Sequence, residues 1–169
     1  MKDKRPDSKA LRTDTLRVYY PAFLDLKKKK TVVIGGGKVA ERKILSLINT
    51  GAQITVISPE ITKRIEKEKE ERRIRHISRR YRRGDLKDTF LVIAATDSRV
   101  VNEKVSQDSP CLVNVVDTPE LCNFIVPSVI NRGTLTIAIS TGGVSPALSR
   151  SIRKELEKIY GDEISDYLK

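Results

Sequence analysis

The sequence has little of what metal centres, disulfide frameworks and membrane spans require. Its 169 residues include one histidine, two cysteines and no tryptophan. Cys111 and Cys122 do not form a CxxC pair, so we expect neither a disulfide framework nor a metal centre held by thiolates and imidazoles. No apolar run reaches the roughly 18 residues that a membrane span needs, and the N-terminus lacks the apolar centre of a secretory signal. We therefore expect a cytoplasmic protein with no membrane partner.

Acidic residues are outnumbered by basic ones, and the net charge is +11 at pH 7. Most of the excess lies in residues 1–30 and 63–87. Residues 1–17 are polar without periodicity, which predicts a flexible basic arm. The charge raises the chance of an anionic partner such as a polycarboxylate, although alternating signs in residues 63–87 favour an exposed, solvated helix. Because aromatic residues are few and no known module is present, we expect no nucleic-acid partner.

Strand and helix patterns alternate along most of the chain. Buried strands are predicted at "KTVVIG", "QITVIS", near "IRHIS", at "TFLVIAAT" and at "PCLVNVVD". Helices are predicted over "KVAERKILSLINTG", from about Glu60, and over "DSRVVNEKVSQD", where Thr96 or Asp97 can act as N-cap. This alternation predicts an α/β fold with a Rossmann-like, doubly wound parallel sheet in a domain of residues 18–122.

Residues 123–169 have a different pattern. "NFIVPSVINRGTLTIAIS" predicts two extended segments joined at "NRG", either as a small antiparallel hairpin or as a strand exchanged between subunits. A C-terminal helix follows from about Ser145, and its apolar stripe consists of Leu148, Ile152, Leu156 and Ile159. Since little chain remains to cover this stripe within one monomer, we expect a homodimer.

The stretch "TVVIGGGKVAERK" fits the dinucleotide-binding pattern G-x-G-x-x-[GA] through Gly35, Gly37 and Ala40. Gly35 permits the tight turn, Gly37 lets the backbone approach a pyrophosphate, and Ala40 lets helix and strand pack closely. The pattern follows a predicted strand and opens a predicted helix, which is the context that dinucleotide binding requires. The sequence therefore predicts a dinucleotide site at this loop.

The choice of dinucleotide depends on the end of the second strand. The acid usually found there is replaced by Ser58, which is a candidate cofactor-binding residue, and Glu60 follows two residues later. Glu60 could still reach a ribose hydroxyl, which favours NAD, whereas Arg64 nearby leaves NADP open.

Two acids, Asp97 and Asp117, follow strands at the edge where open parallel sheets bind their ligands. Each has a structural alternative, because Asp97 can cap a helix and Asp117 can form a turn in "DTPE". An acid beside a nicotinamide could also exchange a proton during hydride transfer.

A second polar loop, "ISTGGVSPALSR", places hydroxyls and two glycines directly before a helix. Free N–H groups and the positive end of the helix dipole would make it an anion site. Its candidate binding residues are Ser140, Thr141, Gly142, Gly143 and Ser145. Ser145 followed by Pro146 is also an ordinary N-cap, and both interpretations can hold together.

Four motifs in register, "GGGKVAERK", "AATDSRVVN", "NVVDTPELCNFIVPS" and "ISTGGVSPALSRSIR", resemble the precorrin-2 dehydrogenase family of siroheme synthesis. The resemblance runs from about Tyr20 to Tyr160. It implies NAD-dependent oxidation of precorrin-2 to sirohydrochlorin, with Asp117 as general acid or base and Asn114 among the substrate-binding residues. A second ferrochelatase activity, with Fe²⁺ as substrate, stays open. Nucleotide contacts in the family match Lys38, Val39, Pro59, Glu60, Thr96 and Asp97.

The family forms dimers through the region matching Asn123 to Ser140, which agrees with the predicted hairpin. Family members usually continue past the point matching Tyr160 with a helical segment that covers the tetrapyrrole. We therefore expect residues 123–169 to be a dimerisation and substrate-covering segment that is truncated relative to the family. The alternative function is a nucleotide-sensing Rossmann regulatory domain without catalysis, although such a sensor needs neither Asp117 nor the "STGGVSP" loop.

Overall fold

The computed structural model describes residues 17–164, which form two compact units. The predicted arm of residues 1–17 lies outside the described residues except for residue 17. One unit comprises residues 22–126, and the other comprises residues 17–21 and 127–164. The first unit contains β1 (Lys30–Ile34), α1 (Lys38–Ile48), β2 (Gln53–Ile57), α2 (Lys63–Glu70), β3 (Ile74–Ile77), β4 (Leu91–Ala94), α3 (Arg99–Asp108), β5 (Leu112–Val115) and a 3-10 turn (Pro119–Leu121).

The five strands of this unit form a parallel sheet in the order β3-β2-β1-β4-β5. The prediction of a Rossmann-like sheet is therefore confirmed. Ile34 at the end of β1 pairs with Ile57 of β2 on one side and with Ala94 of β4 on the other. The carboxyl ends of these strands meet at one edge, where the strand order reverses and a ligand crevice is expected.

Both faces of the sheet are buried, because helices cover each of them. Val33 of β1 packs in a cluster with Ile44 of α1 and Ile65 of α2. Its neighbour Val32 points to the opposite face and packs in a cluster with Val105 of α3. Burial on both faces explains why β1 and β4 are uninterrupted apolar runs rather than alternating ones.

Helix α2 begins at Lys63 rather than at about Glu60, so that predicted boundary was wrong. Thr62 is the N-cap, and its hydroxyl accepts a hydrogen bond from the Ile65 N–H at 3.3 Å. Such a bond satisfies one of the amides that the first helical turn leaves unpaired, so the helix starts directly after Thr62. Residues 58–62 consequently remain a loop at the ligand-binding edge.

The second unit consists of the antiparallel strands β6 (Ser128–Arg132) and β7 (Leu135–Ile139) and the helix α4 (Pro146–Ile159). The predicted hairpin and C-terminal helix are confirmed. Ser145 caps α4 by accepting from the Leu148 N–H at 3.2 Å. Leu148, Ile152 and Ile159 keep 51%, 37% and 66% of their surface exposed, so the described residues leave most of the predicted stripe uncovered. In residues 17–164, no helix combines the length and the apolarity needed to cross a bilayer.

Candidate functional site

A cavity of about 860 Å³ opens at the carboxyl ends of β1, β2 and β4. This volume lies within the range of small-molecule and cofactor sites. All nine residues predicted to bind a dinucleotide line it: Gly35, Gly37, Lys38, Val39, Ser58, Pro59, Glu60, Thr96 and Asp97. Residues from three separate loops are thus brought to one surface, as the topology of a doubly wound sheet requires.

The glycine loop is shaped by close backbone approaches. Gly35 has φ +119°, and a Cβ built on it would lie 2.2 Å from the Ala95 carbonyl oxygen. A Cβ on Gly36 would lie 2.0 Å from the Glu60 carbonyl oxygen. Only glycine fits at these two positions, because the obstacles are backbone atoms that cannot rotate away.

Gly37 is different, because no described atom lies within 4 Å of a Cβ built on it. It is the N-cap of α1, has φ −80°, and makes no side-chain capping bond. Its backbone therefore faces open space in the cavity at the positive end of the α1 dipole. This is a concave surface that a pyrophosphate would fill, so the residues present fit a dinucleotide.

The loop of residues 58–62 is held in place from β3 and its following residues. The Nε2 atom of His76 donates to the Ser58 carbonyl oxygen at 2.9 Å, and the Ser78 hydroxyl donates to the Pro59 carbonyl oxygen at 3.0 Å. The sole histidine of the sequence thus supports the cavity wall instead of lining the cavity.

The same loop is tied to the glycine loop and to α1. The Thr62 N–H donates to the Gly36 carbonyl oxygen at 3.1 Å, and the Thr62 hydroxyl donates to Glu41 Oε2 at 2.5 Å. Lys38 places its ammonium 3.3 Å from the same carboxylate oxygen. The Thr62 hydroxyl, followed by Lys38, holds the pKa of Glu41 below its usual value against the opposing effect of burial. One charged network therefore fixes two walls of the cavity.

The segment after β4 departs from its predicted capping. Ser98, and neither Thr96 nor Asp97, caps α3 by accepting from the Val101 N–H at 3.4 Å. Thr96 instead donates its hydroxyl proton to Asn102 Oδ1 at 2.7 Å. Asp97 is exposed on the cavity wall. Three consecutive residues are good N-caps, and the backbone of the turn selects the last of them.

Arg80 and Tyr81 also line the cavity, and sequence reasoning missed both. They follow β3, whose carboxyl end lies at the same edge of the sheet as that of β2. Their turn is closed by Arg79, which donates to both carboxylate oxygens of Asp85 at 2.8 and 2.7 Å and holds the pKa of Asp85 below its usual value.

Tyr81 is fixed on the other side by α3. Its hydroxyl donates to Asp108 Oδ2 at 3.0 Å. Burial, reinforced by this carboxylate, raises the pKa of the Tyr81 phenol. The phenol therefore stays protonated near neutral pH, and the ring serves as a rigid cavity wall.

Asp117 and Asn114 do not line the cavity. Asp117 follows β5, is exposed, and has φ +57°, a left-handed conformation that few residues other than glycine adopt. Asn114 is buried, and its Nδ2 atom donates to the Phe124 carbonyl oxygen at 3.2 Å. The Asn114 side chain thus binds the end of β5 to the backbone that follows the 3-10 turn.

The predicted anion loop belongs to the second unit. Thr141 accepts from the Ser145 N–H at 3.0 Å through its hydroxyl, and Ser140 accepts from the Gly142 N–H at 3.0 Å in the same way. Gly142 and Gly143 have φ +64° and +87°, which only glycine adopts without strain. The five predicted residues therefore form an ordered turn before α4. In residues 17–164, no group of three or more His, Cys, Asp or Glu side chains could hold a metal ion.

Two family profiles match the chain. Residues 22–128 match a family described as putative NAD(P)-binding, and residues 132–159 match the central part of sirohaem biosynthesis proteins. The siroheme synthase of Methylobacillus flagellatus is 43% identical over 142 residues, and that of Nitrosospira multiformis is 40% identical over 146 residues. Each alignment covers 82% of this chain but only 30% and 31% of the respective relative. The chain thus spans under a third of these curated relatives.

A solved structure extends the likeness to the fold. SirC, precorrin-2 dehydrogenase, is similar with a TM-score of 0.81 and 32% sequence identity. The match covers 89% of this chain and 75% of SirC.

Proposed function

The chain belongs to the family of putative NAD(P)-binding siroheme biosynthesis proteins, and we propose that it oxidises precorrin-2 to sirohydrochlorin. The observation that carries this proposal is the similarity to SirC, precorrin-2 dehydrogenase, over most of both chains. The cavity independently supports the nucleotide-binding part of the proposal, because the predicted nucleotide contacts line one cavity of suitable size.

The cofactor in this proposal is NAD. The α1 N-terminus and the open backbone at Gly37 would hold the pyrophosphate, and Lys38 would add positive charge at the cavity mouth. Glu60 would accept hydrogen bonds from ribose hydroxyls, a role that disfavours the extra phosphate of NADP. When bound, NAD supplies the acceptor for hydride.

Asp117 is the proposed general acid or base. Oxidation removes two electrons and two hydrogens from the macrocycle, one leaving as hydride to the cofactor and the other as a proton. The Asp117 carboxylate would take that proton and release it to water, for which its exposure is suitable.

Substrate binding in this proposal uses the polar loop before α4. Precorrin-2 is a polycarboxylate, and the positive end of the α4 dipole at this loop favours carboxylates. The residues assigned to it are Asn114, Ser140, Thr141, Gly142, Gly143 and Ser145. Asn114 is the weakest member of this set, because its amide already holds the backbone of Phe124. The net charge of +11 would raise the rate of encounter with an anionic substrate.

The working assembly in this proposal is a cytoplasmic homodimer. Exposed apolar side chains on α4 and β6 support it, since exposed apolar patches mark interaction sites. Ferrous iron is a further candidate substrate, and insertion of iron into sirohydrochlorin would be a separate, second reaction.

The test is an anaerobic assay that mixes the protein with NAD and precorrin-2 and follows the visible spectrum of the macrocycle. We expect sirohydrochlorin and NADH to form in equal amounts, and Asp117→Asn to reduce turnover to a small residual rate while keeping the affinity for NAD. A wild-type protein that binds NAD without forming product would instead favour a nucleotide-sensing domain. Adding Fe²⁺ to the finished reaction tests chelation separately.

A further inference from the structure

The thiol of Cys122 lies in the turn that carries Asp117, and the proposed reaction gives it no role. Cys122 is 7% exposed and closes the segment that runs from the end of β5 through the 3-10 turn. Its burial makes it a poor nucleophile for a substrate. Any role of Cys122 must therefore come from the hydrogen bonds of its thiol and not from its reactivity.

The contacts of Cys122 fall on both sides of Asp117. Its Sγ atom accepts from the Val115 N–H at 3.1 Å, and the thiol lies 3.2 Å from the Val115 carbonyl oxygen. The thiol also lies 3.4 Å from the Thr118 carbonyl oxygen, so either carbonyl can accept its proton, and Asn114 Nδ2 lies 3.6 Å from the sulfur. One side chain thus bridges the residue two before Asp117 and the residue directly after it.

Other bonds also hold this turn, among them that of the Thr118 hydroxyl to the Val116 carbonyl oxygen at 3.3 Å and that of the Leu121 N–H to the Thr118 carbonyl oxygen at 3.1 Å. The Thr118 N–H donates to the Val115 carbonyl oxygen at 3.3 Å, a long bond around a residue with φ +57°. A left-handed conformation costs a non-glycine residue free energy, which contacts of the flanking residues can offset. The thiol supplies the additional hold, because it contacts polar backbone atoms of both flanking residues.

Helix α1 provides the other side of this turn. Val116 and Phe124 pack against the cluster that contains Ile44 of α1. Burial, followed by Arg42, lowers the pKa of Lys43, while the negative charge of Asp117 acts in the opposite direction. Lys43 is therefore within electrostatic range of the Asp117 carboxylate, and displacement of the turn would change that interaction.

We propose that Cys122 is a positioning residue for Asp117, whose carboxylate it presents by bridging Val115 and Thr118. Only the expected effect on kcat rests on the proposed function. The contacts of Cys122 with Val115 and Thr118 are present in the free protein whatever reaction it catalyses. If Cys122 acts through the hydrogen bonds of its thiol, a hydroxyl group should replace it and an apolar group should not.

The experiment compares Cys122→Ala with Cys122→Ser in the full chain. Cys122→Val, which replaces the thiol by apolar bulk of similar size, is the second apolar variant in case the alanine protein does not fold. Cys111→Ser is the matched control, because Cys111 is half-buried and contacts Ser109 and Leu112 rather than the turn. The readouts are kcat with precorrin-2, the Kd for NAD, and amide hydrogen exchange at residues 116–118.

The apolar variants should lower kcat by about tenfold or more, because a small misplacement of a reacting group is costly. Their Kd for NAD should stay within about twofold of wild type, because Cys122 does not line the cavity. Exchange at residues 116–118 should become faster. Cys122→Ser should recover most of kcat, and Cys111→Ser should match wild type.

A double-mutant cycle separates positioning from general stability. In the Asp117→Asn background, Cys122→Ala should cause no further loss of the residual rate, because the group it positions is gone. An equal loss in both backgrounds, or unchanged exchange at residues 116–118, would overturn the inference. If wild-type protein fails to oxidise precorrin-2 but exchange still rises in the apolar variants, the proposed function fails and the positioning role stands.

Discussion

The Thr62 hydroxyl donates to Glu41 Oε2 at 2.5 Å and accepts from the Ile65 N–H at 3.3 Å. One threonine therefore caps α2 and binds it to α1, whose N-terminus opens the cavity. The bond between Thr62 and Glu41 fixes the end of the loop of residues 58–62. The position of Glu60, the proposed ribose ligand in this loop, therefore depends on the Glu41 carboxylate, which lies outside the cavity.

Glu41→Gln should lower stability at neutral pH by about 1 kcal/mol, because a hydrogen bond to a charged group becomes one to a neutral amide. The pKa of Glu41 is lower in the folded protein than in the unfolded protein, where it is near 4.5. The Glu41 carboxylate therefore stabilises the fold above pH 4.5, and this stabilisation is lost as the pH falls through the folded pKa. The difference between wild type and variant should therefore shrink on acidification below about pH 4. Urea unfolding across this range measures it.

Glu66→Gln is the control for that comparison. Glu66 also pairs with a lysine three residues away, at 2.8 Å from Lys69 Nζ, but it is 42% exposed. Exposed pairs contribute little, so this variant should follow the wild-type curve. A Glu41→Gln protein with the same acid profile as wild type would show that the Thr62–Glu41 bond carries no net stability.

Gly37→Ala should weaken NAD binding without affecting the fold. Alanine tolerates φ −80°, and no described atom lies within 4 Å of the added methyl group, so thermal stability should be unchanged. The methyl group would occupy space proposed for the pyrophosphate, and we expect the Kd for NAD to rise about tenfold or more. Calorimetric titration and a melting curve measure the two effects.

Gly36→Ala gives the contrasting result. Its Cβ would lie 2.0 Å from the Glu60 carbonyl oxygen, so the two loops must separate and the melting temperature should fall. Should Gly37→Ala bind NAD as wild type does, the pyrophosphate does not approach the backbone where we propose.

The sequence was sufficient for the sheet and for most of the cavity wall. Periodicity located the strands, and the rule that ligands bind at their carboxyl ends grouped Gly37, Glu60 and Asp97, which the structure places on one cavity. The cap of α3 was not predictable, because Thr96, Asp97 and Ser98 are all suitable N-caps and only the backbone path decides.

Arg80 was missed for another reason. It lies in a run of arginines that reads as a solvated surface, and its position on the cavity depends on a turn closed by Arg79 and Asp85. Tertiary pairing of that kind has no local sequence signature. Charge alone cannot distinguish Arg80 from Arg82, which does not line the cavity.

Glu60 and Arg80 lie on the wall of the same cavity with opposite charge, which makes them the candidates for cofactor choice. Glu60→Ala removes the acid that would bind a ribose hydroxyl and repel a phosphate, and leaves the guanidinium available for a phosphate. We expect the affinity for NADP relative to NAD to rise about tenfold. Direct titration of both nucleotides measures the ratio.

Adding Arg80→Ala to Glu60→Ala should remove that gain, whereas adding Arg82→Ala should not. A wild-type protein that already prefers NADP would contradict the role of Glu60. A gain that survives in the Glu60→Ala, Arg80→Ala protein would show that another cation binds the phosphate.

The apolar stripe on α4 is the surface that we expect a second copy of the chain to cover. Leu148 and Ile152 are one helical turn apart and are 51% and 37% exposed, so a partner subunit that covers them would desolvate both. Leu148→Glu with Ile152→Glu places two carboxylates in that interface, and the double variant should dissociate at concentrations where wild type is dimeric, with dimer affinity reduced at least about tenfold. Sedimentation equilibrium measures the affinity, and Ser151→Glu, on an exposed position of the same helix, controls for added charge.

Because the charges are added outside the residues 22–126 that form the cavity, NAD binding should survive dissociation. A wild-type protein that is monomeric at all concentrations would show that the stripe has no second copy as its cover.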